Sequence, residues 1–292
     1  MNPQQPTSQP TADRSWWRTL PPTTHSNHPR TLASEMRPAW WRVLPMGDRL
    51  VSGIAIDLGS ARTRIWTTEH GLTADVPTRV PGTSGRGGLV CRGEIVNAAA
   101  TASLLTTLLG RETATPATHR LTVVAVVPVL GGERQRRGMR AALEVLGPAA
   151  VVMLDGVKAV AFGARAGVAD PLLVVDVGAQ LIEVALLTDG SVVEARSTPL
   201  GVDDLSAAEV VEEVADAVLG LLQGDCCGQV VDALDRGVLL AGGGALRPEI
   251  TYKLSRRIGA TVRPAPAPHT AAVRGAATAL QANHRHPGTH NA

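Results

Sequence analysis

Two stretches, Ile54-Ala55-Ile56-Asp57-Leu58-Gly59 and Val174-Val175-Asp176-Val177-Gly178, share one pattern, and their aspartates stand 119 residues apart. In each, an apolar strand ends in Asp-x-Gly and a second strand follows. The pattern reads as a β-hairpin whose turn leaves backbone N–H groups free, with a carboxylate at the strand end. Asp-x-Gly alone is ordinary turn chemistry. Two copies in one chain imply more. Facing each other, the turns can clasp a phosphate chain, with N–H groups on the oxygens and Asp57 and Asp176 holding a magnesium ion through its water shell.

A third element strengthens this reading. Gly237-Val238-Leu239-Leu240-Ala241-Gly242-Gly243-Gly244-Ala245-Leu246 is an apolar strand running into three glycines and then a helical stretch. Glycine allows close approach to a ligand, and a helix N-terminus favours anionic groups. Around these motifs, strands are predicted at 50–56, 63–68, 121–127, 151–154, 172–177, 181–188, 192–197 and 238–241. Asp189-Gly190 is the turn of a hairpin. Helices are predicted at 98–109, 134–146, 157–165 and 207–222. The last carries Val210, Val214, Val218 and Leu221 on one face and Glu209, Glu213 and Asp216 on the other. Buried strands, hairpins and helices together indicate an α/β protein.

Composition sets the limits. The 292 residues carry a formal net charge of +2, which gives no reason to expect a nucleic acid partner. Three cysteines, one alone and two adjacent (Cys226-Cys227), make neither a disulfide framework nor a zinc pattern. No stretch approaches the roughly 18 apolar residues of a membrane span, and there is no signal-peptide core. These features point to a reduced, cytoplasmic protein. Residues 1–49 hold eight of the 20 prolines and four of the five tryptophans, so this segment and residues 281–292 are expected to be disordered tails. Within the first, Trp16-Trp17-Arg18-Thr19-Leu20-Pro21 is echoed by Trp40-Trp41-Arg42-Val43-Leu44-Pro45. Tryptophan beside arginine suits the headgroup region of an anionic bilayer, so the four tryptophans are candidates for peripheral contact with the inner face of the membrane; two linear motifs for a protein partner are the alternative.

The motifs resemble those of the actin-like ATPase superfamily, and most closely the MreB rod-shape proteins. DLGSARTRIW at 57–66 is similar to the first phosphate loop, VVPVLGGERQRRGMRAAL at 126–143 to the strand-to-helix connection, GVLLAGGGALR at 237–247 to the adenosine motif, and HTAAVRGAATAL at 269–280 to the closing helix. The resemblance spans about 50–280. It implies an actin-like ATPase fold: two core lobes of mixed sheets flanked by helices, the first over 50–155, the second over 156–263, and a closing helix at 264–280 returning to the first. It also implies ATP with Mg2+ as cofactor. The nucleotide-binding residues carried over are Asp57, Gly59, Ser60, Ala61, Arg62, Asp176, Gly178, Gly242, Gly243, Gly244, Ala245 and Leu246.

The departures bear on activity. The second phosphate loop of the family is a glycine triplet followed by threonine, whereas this chain has Gly178-Ala179-Gln180-Leu181. Gly156 falls where the family places its water-positioning glutamate. The adjacent Asp155 is the one candidate substitute, although a one-residue shift at a strand end turns a side chain elsewhere. Both outer lobes are reduced, the first to the loop 77–93, while Gly201-Val202-Asp203 runs almost directly into the helix at 207. The reading that follows is a degenerate MreB-like protein of cell shape or envelope organisation, with weakened nucleotide binding and lost hydrolysis. Its partners would be a full-length MreB-like protein or the cell-wall synthesis machinery. An active ATPase using Asp155 and a small-molecule kinase are the alternatives.

Overall fold

The computed structural model describes residues 53–79, 88–109 and 121–285, with side chains to 282. The paired Trp-Trp-Arg units lie outside the described residues.

The first sheet has the order β3-β2-β1-β6-β7, from β1 (Gly53–Leu58), β2 (Arg62–Thr67), β3 (Gly71–Pro77), β6 (Thr122–Val127) and β7 (Ala150–Asp155). A small hairpin, β4 (Val90–Cys91) with β5 (Glu94–Ile95), stands apart from it. The second sheet has the order β10-β9-β8-β11-β12, from β8 (Leu172–Val177), β9 (Ile182–Thr188), β10 (Ser191–Thr198), β11 (Val238–Ala241) and β12 (Val262–Pro264). In both, three strands form an antiparallel meander and the first of them continues into two parallel neighbours. The sequence repeat is thus a repeat of topology.

Each central strand is apolar on both sides because helices cover both faces. Ile54 and Ile56 pack with Leu105 and Leu109 of α1 (Ala98–Leu109) and Met139 and Leu143 of α2 (Glu133–Leu143). On the opposite face, Ala55 and Val124 meet α3 (Gly156–Gly163) and α7 (Ala271–Arg285), which also cover Val174, Ala185 and Leu187 of the second sheet. The outer face of that sheet packs on α4 (Ala207–Leu222), α5 (Cys227–Arg236) and α6 (Pro248–Ile258). The result is five layers, with α3 and α7 in the middle. These two cross at glycine: a Cβ at Gly163 would lie 1.9 Å from the Ala271 carbonyl oxygen, and one at Gly275 1.7 Å from that of Ala159. Nothing larger fits there.

Helix α4 starts in a capping box, the Ser206 hydroxyl accepting from Glu209 N–H and the Glu209 carboxylate accepting from Ser206 N–H at 2.8 Å. It buries Val210, Val214, Val218 and Leu221 as its periodicity predicts. The predicted elements omit the strands β3 and β12 and the helices α5 and α6, although Val230, Ala233 and Leu234 of α5 and Ile250, Leu254 and Ile258 of α6 recur at helical spacing. Cys226-Cys227 leads into α5, which begins at Cys227. The Cys226 thiol donates to Glu194 at 2.7 Å, and burial pushes its pKa up to about 11, so it is no reactive thiolate. Among the described residues, no helix is long and apolar enough to cross a membrane.

Candidate functional site

The carboxyl ends of β1 and β8 open onto one cleft of about 350 Å³, within the size range of small-molecule sites. Ligands of α/β sheets gather at this end of the strands. The two Asp-x-Gly loops line the cleft with the same backbone device. Gly59 N–H donates to Arg62 O at 3.0 Å, and Gly178 N–H donates to Leu181 O at 2.8 Å. A Cβ at either glycine would press on that acceptor, at 3.0 and 2.8 Å respectively. Within the described residues, Ser60, Ala61, Ala179 and Gln180 donate no backbone hydrogen bond, which leaves a small nest of N–H groups in each loop.

Each loop is also braced through its carbonyls. Thr78 donates its N–H to Ala61 O at 3.0 Å and its hydroxyl to Gly59 O at 2.7 Å. Val202 and Asp203 donate to Gly178 O and Ala179 O at 3.1 and 2.9 Å. Leu181, where the family has a hydroxyl, lies 3.3 Å from where a Cβ of Gly93 would stand, in the turn of the β4–β5 hairpin.

The glycine triplet divides. Gly242 has φ +83°, and a Cβ there would meet Val177 O at 2.3 Å and Asp176 Oδ1 at 2.4 Å. Gly244 is wedged against Val177 in the same way. Gly243 has nothing within 4 Å of its Cβ position and lines the cleft. The structure therefore brings together Asp57, Gly59, Ser60, Ala61, Arg62, Asp176, Gly178, Gly242, Gly243 and Leu246 around one space. Gly244 and buried Ala245 do not line it; they pack inward instead of touching a ligand.

Asp155 ends β7 and caps α3, and its carboxylate pairs with Arg136 at 3.4 Å. It is absent from the cleft wall, while Gly156 and Val160 are part of it. The strand end turns the side chain of Asp155, the candidate substitute for the missing glutamate, toward Arg136 on α2.

Three cleft residues escaped the sequence reading. Glu183 is directly opposite Asp176 in the β8–β9 register and so shares its face. It is 5% exposed, accepts the Val129 N–H at 2.6 Å, and its Oε2 lies 3.4 Å from where a Cβ of Gly156 would stand. Burial, then the neighbouring Asp176, push its pKa up to about 8; burial, then Asp57, raise Asp176 to about 7. The two carboxyls therefore keep a proton between them at neutral pH. Arg64 is the second residue, opposite Asp57 in the β1–β2 register and 3.4 Å from it. The third is His269, whose Nδ1, like Gln180 Oε1, is buried without a partner on the cleft wall. Counting outward from each turn would have found the first two, because the turn length fixes the register.

A hydrated magnesium between Asp57 and Asp176, as the sequence implied, would share Asp57 with a guanidinium 3.4 Å away. Among the described residues, no group of three or more His, Cys, Asp or Glu side chains could hold a metal ion.

Two sheets of identical topology, two matched loops and a glycine turn around one cleft define an actin-like ATPase fold. The same fold is seen in MreB5 of Spiroplasma citri, solved with ADP, at 16% identity and TM-score 0.69 over 80% of this chain and 97% of that one. The ethanolamine utilization protein EutJ from Carboxydothermus hydrogenoformans shares it at 18% identity and TM-score 0.55, over 81% and 90%. So does MamK in its double helical filament, at 14% identity and TM-score 0.60, over 79% and 98%. No curated protein sequence matches the chain. The family model for MreB/Mbl protein matches residues 88–210 and 204–287, and the chain belongs to that family.

Proposed function

We propose that this chain is an MreB-like actin homologue that holds a nucleoside phosphate in the cleft but has lost most of its hydrolytic capacity. Its role is in cell shape or envelope organisation, as partner to a full-length MreB-like protein or to the cell-wall synthesis machinery. The observation that carries this reading is the pairing of the two loops. Their unengaged N–H groups at Ser60, Ala61, Ala179 and Gln180 converge on one cleft, as phosphate oxygens require. Relatives of the same fold support it, since MreB5 of Spiroplasma citri was solved with ADP and with AMPPNP.

Loss of hydrolysis is argued from the acid–base groups. Gly156 supplies no carboxylate, and Asp155 is turned to Arg136. Glu183 is near the vacated position but is tied to Val129 N–H and protonated at neutral pH, so it is a poor water-orienting base. A small-molecule kinase would need a base in the cleft; Asp155 does not line it, and the Asp203 that does is exposed at the rim.

Calorimetric titration with ADP tests binding, and phosphate release from ATP tests hydrolysis. ADP binding that is abolished by Gly243→Val, with no measurable phosphate release, is the expected result, because this residue alone of the triplet faces open space. Absence of binding, or steady turnover, would reject the respective half of the reading. For the tail, flotation with anionic liposomes is expected to recover the intact chain but not one with Trp16, Trp17, Trp40 and Trp41 all changed to Ala. Equal recovery of both would remove the proposed membrane contact.

A further inference from the structure

Arg64 has no counterpart in the second hairpin, and its setting is unusual for a structural ion pair. Three directly opposed residues on adjacent strands, Asp75 of β3, Arg64 of β2 and Asp57 of β1, form one cross-strand row. Neighbours in such a row share a face. Arg64 Nη1 stands 3.4 Å from Asp57 and Nε stands 3.4 Å from Asp75, both looser than the roughly 2.8 Å of a committed charge-assisted bond. Its Nε is buried and makes no hydrogen bond. Asp75 has a closer partner in Arg62, at 2.5 Å. The Arg64 side chain is only 12% exposed, yet it lines the cleft beside the Asp57–Asp176 pair. It is a fixed positive charge with donors to spare at the phosphate end of the site.

We propose that Arg64 is a resident cation that takes the place of a divalent metal in this cleft, so that the chain binds a nucleoside diphosphate without magnesium. The inference rests on the nucleotide-binding reading above and adds what neutralises the phosphates. A guanidinium beside Asp57 repels a dication from that carboxylate. It also presents planar N–H donors, which match phosphate oxygens, where a metal would present water. The loop N–H groups of Ser60, Ala61, Ala179 and Gln180 complete the cradle. His269 Nδ1, buried and unpartnered on the same wall, is a further polar atom beside that cradle.

The test is calorimetric titration of ADP into the full chain, once with magnesium and once with EDTA, repeated on Arg64→Gln and Arg64→Lys. Circular dichroism melts establish that each variant is folded. The wild-type chain should bind equally well, within about threefold, in the two buffers. Arg64→Gln should bind roughly tenfold or more weakly in EDTA, the worth of one charged hydrogen-bonding partner. Arg64→Lys should retain most of the metal-free affinity. Wild-type binding that needs magnesium would overturn the role of Arg64 and leave the nucleotide reading intact. So would an Arg64→Gln variant that binds as the wild type does in EDTA. No ADP binding by the wild type in either buffer would overturn both readings. The wild-type arm is decisive even where a variant fails to fold.

Discussion

The two Asp-x-Gly hairpins have the same backbone and opposite electrostatics. Residues 57–64 and 176–183 make the same glycine-to-carbonyl turn, are each braced through the carbonyl of that glycine, and place an aspartate at the same strand end. Seven residues on, in direct register with that aspartate, the first hairpin has Arg64 and the second has Glu183. Burial pushes both aspartates up; Arg64 offsets this in part at Asp57, whereas Glu183 leaves the second pair with a retained proton. A turn motif fixes where two side chains meet. Their chemistry is then decided by the residue on the return strand, which the motif does not specify.

Swapping the charge at the first hairpin is the strongest way to break this contrast. Arg64→Glu would place a carboxylate against Asp57 and Asp75 with no cation between them, and should cost about 3–5 kcal/mol of stability, the usual penalty for a buried charge stripped of its partner. Urea denaturation measures it. A loss under 1 kcal/mol would mean the row is open to water.

The second hairpin carries the pH dependence. Asp176 and Glu183 have folded pKa values of about 7 and about 8, above the ordinary carboxylate range. Between about pH 4 and pH 8 the unfolded chain releases protons that the folded chain keeps, so stability is highest in mild acid and falls as pH rises. The melting temperature should drop by several degrees from pH 5 to pH 8. Glu183→Gln should flatten that slope, and Asp57→Asn should flatten it further, because the Asp57 charge helps raise Asp176 and burial raises Asp57 itself. An equal slope in wild type and Glu183→Gln would place the retained proton elsewhere.

Smaller effects sharpen the comparison of the turns themselves. A methyl at Gly178 meets Leu181 O at 2.8 Å, against 3.0 Å for Gly59 and Arg62 O. The second loop is also closed on its other side by Gly201, where a Cβ would come 2.4 Å from the Ala179 backbone. Gly178→Ala should therefore cost more than Gly59→Ala, both falling in the range of about 1–3 kcal/mol for overpacking. Chemical denaturation of the two variants side by side would reveal the order. The reverse order would show that the first loop is the more rigid.

Much of the molecule was readable from the residues because its signals are local. The repeat of apolar strand, Asp-x-Gly and second strand marked both hairpins, and the glycine triplet marked the third wall of the cleft, since turn and close-approach geometry depend on a few adjacent residues. Helices α1 and α4 fall on their predicted bounds because their apolar faces recur at helical period. The three-residue strand β12, by contrast, is held in place by its pairing with β11. Composition and motif resemblance likewise sufficed to indicate the actin-like fold.

The sequence by itself determined the turns, the duplicated strands and the family; the tertiary structure alone decided what the cleft contains. Whether Asp155 reaches the site depends on a single step of strand alternation at the end of β7, and that step hands it to Arg136 on another helix. Which glycines face a ligand depends on Val177, which lies on a strand over sixty residues away and blocks Gly242 and Gly244 but not Gly243. The protonation of Asp176 and Glu183 comes from burial between elements that are distant in the chain. Packing and desolvation are sums over such distant neighbours, and no local pattern records them.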